Sequence, residues 1–126
     1  MILQQMRAII IIIVAILAGS CLGFDLLASL GGHFAASVDL ARGRPQILTY
    51  GWPAPWVADY ALLLRDRYEI EQRAVAGCVV RPGLMPYVSG YNRVTVAAAR
   101  ARFGRDVVSE TAEEARSNWL QKRSAE

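Results

Sequence analysis

Residues Ala8 to Leu22, AIIIIIVAILAGSCL, form an unbroken apolar run with one cation, Arg7, immediately before it. Water penalises exposing such a run, and a helix satisfies all its own backbone hydrogen bonds, so the segment partitions into lipid as a helix. Consecutive isoleucines form helices poorly in water, but transfer into hydrocarbon outweighs that weak bias. From Ala8 to Phe24 the run is about 17 residues, the short end of a membrane span. Leu26-Leu27-Ala28-Ser29-Leu30 can extend it to Leu30, with Asp25 near one interface. Residues 1–30 are therefore expected to be a membrane anchor or a signal segment.

A secretory signal has the same outline: a charged start, an apolar stretch, then small residues before a cut. Here Ala18-Gly19-Ser20 precede Cys21, an order that resembles a bacterial lipobox, whose cysteine becomes lipidated and amino-terminal after cleavage. The resemblance covers only Ala18 to Cys21 and is relaxed, because Ala18 stands where leucine is usual. The apolar stretch Leu22 to Leu27 also continues where a polar tether is expected. It marks Cys21 as a lipidation candidate, beside its plain reading as a small apolar residue within a membrane helix. Arg7 and the free amino terminus favour a cytoplasmic start, against the opposing pull of Arg42 and Arg44. Either reading puts the following domain on the outer, periplasmic side.

Beyond a linker at 31–45, residues 46–126 leave room for one domain of about 80 residues, small enough to be marginal on its own. Gly31-Gly32 reads as a break after the anchor, and Ala41-Arg42-Gly43-Arg44-Pro45 as the wet part of the linker. Residues 42–105 carry ten arginines against four acids, but the cations are dispersed and several adjoin acids, so no phosphate stripe for nucleic acid is expected. Cys21 and Cys78 are the only cysteines and His33 the only histidine, so neither a disulfide framework nor a metal-ligand spacing arises and no cofactor is implied.

Gln46 to Tyr50 reads as a strand between Pro45 and Gly51. Gly51 to Trp56, GWPAPW, is a turn, and Trp56 to Arg67 a helix with Tyr60, Leu63 and Leu64 on its inner stripe. Tyr68 to Val80 is the second strand candidate, its apolar end suggesting burial on both faces. Leu84 to Phe103 forms a helix with Leu84, Tyr87, Tyr91, Val94 (or Thr95), Ala98 and Ala101 inward, and Gly104 stops it. A competing reading makes Ser89-Gly90 a hairpin turn and Asn92 to Ala97 a third strand. Asp106 can cap a last helix from Val107 to about Lys122.

The fold class is thus α/β, with α+β open: a membrane helix followed by a small βαβαα domain built on a parallel pair. Two strands alone make a weak sheet. Its completion falls to the hairpin, to a partner chain, or to packing on the last helices.

Parallel strands would bring Tyr50, Gly51 and Trp52 to one mouth with Cys78, Arg81 and Gly83. A thiol beside an arginine and a helix start can act as a nucleophile or redox group, yet the apolar flanks of Cys78 read as the interior of a strand. Trp52 and Trp56 around two prolines make an aromatic knob that either covers the core or anchors a partner, and Tyr50 and Tyr91 are partner-binding candidates with them. No catalytic carboxylate pair, phosphate loop or Ser-His-Asp set can be assembled. The expected function is a membrane-anchored bacterial envelope protein acting as an accessory or assembly subunit that binds another protein or itself. The alternatives are a small envelope thiol enzyme or sensor using Cys78 and Arg81, and a lipoprotein with a small-ligand-binding domain.

Overall fold

The computed structural model describes residues 2–125, in the order α1 (Ile2–Ala41), β1 (Gln46–Tyr50), α2 (Val57–Tyr68), β2 (Glu71–Ala76), α3 (Leu84–Phe103) and α4 (Val107–Ser124). Helix dominates, with a small parallel sheet of two strands. α1 is the one described helix long and apolar enough to cross a membrane.

At 40 residues α1 is about 60 Å long, twice the thickness of a bilayer core. Its first half projects free of the fold, and its second half packs along α3. The break expected at Gly31-Gly32 does not occur, and the non-helical connection shrinks to residues 42–45. Glycine costs a helix roughly 1 kcal/mol per residue, so something must offset it here. That something is close approach. A Cβ on Gly32 would stand 2.0 Å from the Tyr87 carbonyl oxygen, and one on Gly90 of α3 would stand 2.1 Å from that of Ser29. The two backbones meet where neither carries a side chain.

The sheet lies between two apolar clusters. Ile47 joins Tyr60, Leu64, Ile70, Ala99, Val107 and Ala115 on the side of α2 and α4. Leu48, its neighbour in sequence, points the opposite way and joins Ala36, Val88 and Tyr91 on the side of α1 and α3. β1 is therefore buried on both faces. β2 is not: Glu71, Arg73 and Ala74 are exposed, and the strand ends at Ala76 after an irregularity opposite Thr49 and Tyr50. The expected run of buried strand to Val80 fails here, because Gly77 to Val80 leave the ladder as an open loop.

α3 runs unbroken through Ser89-Gly90, which removes the hairpin reading. Its inward residues are Val88, Tyr91, Thr95 and Ala99, whereas Ala101 is exposed. The expected stripe drifts off the true one over the last turns. Gly104 closes the helix at φ 73°, its N–H donating to the Arg100 carbonyl at 2.9 Å. Asp106 caps α4 by accepting from the Ser109 N–H at 3.1 Å. That bond, reinforced by Arg100, holds the Asp106 carboxyl below its ordinary range.

α2 ends on Glu69, a non-glycine residue in the left-handed region at φ 57°. Surface ion pairs tie the helices together: Arg67 grips Glu114 of α4 with two bonds of 2.7 and 3.0 Å, and Arg102 of α3 reaches Glu69 at 3.0 Å. With Arg65, Arg100 and Arg105 also on carboxylates, much of the basic block is spent on internal pairing.

Candidate functional site

The carboxyl ends of β1 and β2 do come together, with the Gly51 N–H donating to the Ala76 carbonyl at 3.2 Å. They frame a cavity of about 280 Å³ lined chiefly by Tyr50, Trp52, Trp56, Tyr60, Gln72 and Ala76. Aromatic rings and the side-chain amide of Gln72, bonded to the Thr49 hydroxyl, make its walls. Neither Cys78 nor Arg81 lines it. Cys78 is a free, exposed thiol and not the buried strand residue its flanks suggested. No group of three or more potential metal ligands exists among the described residues.

The aromatic knob divides. Trp56 is half-buried and meets Tyr60 edge-on at 6.1 Å between ring centroids, so it belongs to the core under α2. Burial, with the Asp106 charge adding to it, pushes the Tyr60 hydroxyl up to about 12. Trp52 instead stands 84% exposed. Tyr50, at the end of β1, is also exposed.

Tyr91, a partner-binding candidate that the α3 stripe also placed inward, does face inward. Only 2% exposed, it donates from its hydroxyl to Asp39 of α1 at 2.6 Å. Desolvation first, then that bond, drives its pKa upward. It locks α3 to the far half of α1, a contact that no spacing within α3 alone announces. His33 sits on the exposed side of α1.

The residue that sequence reasoning underrated is Asn92. Its side-chain oxygen accepts from the Leu48 N–H at 2.8 Å, and its amide donates to the Leu48 carbonyl at 2.8 Å. A single side chain thereby imitates a neighbouring strand at the outer edge of β1. The other edge is different. Since Leu48 faces Asn92, its neighbours Ile47 and Thr49 face β2 and bond the residues flanking their partners Gln72 and Ala74. The backbone groups of Gln72 and Ala74 consequently point away from β1, where no further strand lies among the described residues.

A larger cavity of about 410 Å³ opens at the opposite end of the sheet, between the end of α1, the start of β2 and α3. Leu40, Ile70, Ala99 and Phe103 give it an apolar wall, and Arg102 stands at its edge. Thr95 also lines it, 1% exposed, and its hydroxyl has no hydrogen-bond partner among the described residues. An unmet buried hydroxyl costs about 1–3 kcal/mol.

The chain matches no protein-family model, no curated protein and no solved structure.

Proposed function

We propose that the chain is a membrane-anchored bacterial envelope protein that serves as an accessory or assembly subunit, taking an extended segment of another envelope protein onto the free edge of β2. The carrying observation is the asymmetry of the sheet. Asn92 closes the β1 edge, whereas Gln72 and Ala74 offer unpaired donors and acceptors at the β2 edge. An open edge of this kind is a template for strand addition, and natural proteins normally blunt it.

α1 supports the address. Its apolar first half spans the bilayer, with Arg7 holding the amino terminus in the cytoplasm and the domain outside. Processing before Cys21 would leave the same domain on the same side, and would spare the packing of Phe24 and Ala28 against Gly83.

Ala74→Pro tests the docking edge. Proline removes the outward N–H of residue 74 and is tolerated on an edge strand, and no bond to β1 is lost. With a photo-crosslinking side chain in place of exposed Arg73 in cells, the Ala74 protein is expected to give a discrete adduct. Ala74→Pro is expected to reduce that adduct about tenfold at unchanged protein level, as loss of a well-placed backbone bond implies. Equal crosslinking by both proteins contradicts the docking edge.

A further inference from the structure

α1 and α3 run side by side in the same direction. Gly83, just before α3, lies against Phe24 and Ala28, Tyr87 lies against Gly32, and farther on Thr95 and Leu40 line one cavity. The start of α3 is therefore level with Phe24, the point where α1 leaves the fold. β1 follows α1 after four residues, and its carboxyl end lies beside that of β2, whose loop descends to Gly83. Both strands thus deliver their ends to the bilayer side of the domain.

What is exposed there has one character. Trp52 and Val79 are each 84% exposed and Met85 is 56% exposed, at the end of the domain where Phe24 meets Gly83 and where Leu27 and Leu30 of α1 are exposed as well. Large exposed apolar side chains gathered at one end mark an interaction surface. Tryptophan is enriched at headgroup depth, where its ring is buried and its N–H stays wet, and arginine reaches back to phosphate. Arg81 occupies the loop between Val79 and Met85.

We propose that this end of the domain lies on the bilayer that α1 enters, with Trp52 and Val79 inserted among the headgroups and Arg81 on lipid phosphate. The occupant is lipid because the exposed apolar flank of α1, which the membrane reading seats in hydrocarbon, runs up to this same end, with Asp25 at the boundary. Asp25 stands at the same end and Asp59 pairs there with Lys122 at 3.8 Å, so apolar insertion carries the contact and neutral phosphatidylcholine suffices. The proposal rests on the reading of α1 as a membrane span. It turns a tethered domain into a seated one, fixing the height and direction of the β2 edge.

The test uses the full chain reconstituted into phosphatidylcholine vesicles. In one variant, Trp56→Phe and Trp119→Phe leave Trp52 as the only tryptophan, excited selectively at the red edge of its absorption. In a second, which leaves the core untouched, Val79→Cys carries an environment-sensitive dye in a Cys21→Ser, Cys78→Ser background, with Glu110→Cys labelled likewise as the distal control. The expected result is blue-shifted emission from positions 52 and 79 and about twofold quenching by lipids brominated near the headgroup, with position 110 unaffected. Failure of the protein to float with the vesicles overturns the membrane reading of α1 and this proposal with it. Flotation with both probes wet and unquenched overturns the docking alone. Probes that are shielded but insensitive to brominated lipid identify a protein contact instead, which also overturns it.

Discussion

Replacing Gly32 by valine is expected to lower the stability of the domain by about 3 kcal/mol or more, whereas Gly31→Ala leaves it unchanged or slightly higher. The two glycines are adjacent in one helix and share its propensity term, which favours alanine over glycine by roughly 0.5–1 kcal/mol. They differ in what a side chain would meet. At Gly31 a Cβ comes to 3.8 Å from the Tyr87 ring, an ordinary contact. At Gly32 it comes to 2.0 Å from the Tyr87 carbonyl oxygen, which belongs to helix backbone and cannot rotate aside. Only separation of α1 from α3 relieves that clash. A domain of this size has roughly 5 kcal/mol to lose, so the valine variant is expected to be largely unfolded beyond Ala41 at moderate denaturant. Urea titration of the full chain in mild detergent, followed by tryptophan emission, checks both variants. Valine at Gly23, where a Cβ has nothing within 4 Å, is expected to be silent in the same titration.

Asn92→Ala is expected to cost about 2–4 kcal/mol, since it strands both the N–H and the carbonyl of Leu48 in a half-buried edge. Burial decides the size of the effect, because water cannot fully replace an amide wedged between α3 and β1. Asn92→Asp separates the two bonds. The carboxylate still accepts from the Leu48 N–H but opposes its carbonyl, and that repulsion favours the protonated acid. The folded-state pKa of the new carboxyl is therefore raised, so the aspartate variant loses stability as pH rises through that value and regains part of it in acid. Urea midpoints at neutral and acidic pH check this, with the parent chain as reference. An alanine variant as stable as the parent would show that Asn92 merely touches the strand.

Much of the fold is legible locally. β1 between Pro45 and Gly51, α3 from Leu84 to Gly104 and the Asp106 cap follow from turn chemistry and helix stops carried by neighbouring residues. What is not legible depends on residues far apart in the chain. Gly31-Gly32 looks like a break until Gly90 stands opposite, and then the same residues become the reason the helices touch. Tyr91 sits on the expected inward stripe of α3, but nothing near it in sequence names Asp39 of α1 as its partner at 2.6 Å. Cys78 looks interior because its neighbours are apolar, but β2 ends two residues earlier and the chain swings outward. The candidate site was half legible: the meeting of strand ends at Tyr50 and Trp52 followed from parallel pairing, while the closure of β1 by Asn92, and hence the openness of β2, required α3 in place.

The central claim is that one helix passes from the bilayer into the core, so that residues 31–41 belong to the folded domain and are not a flexible tether. Amide hydrogen exchange of the full chain in lipid nanodiscs measures this directly. Protection at residues 31–41 comparable to that of Val88 to Ala99 in α3, lost together with it on adding denaturant, is the predicted result. Rapid exchange of residues 31–41 while α3 stays protected would contradict it.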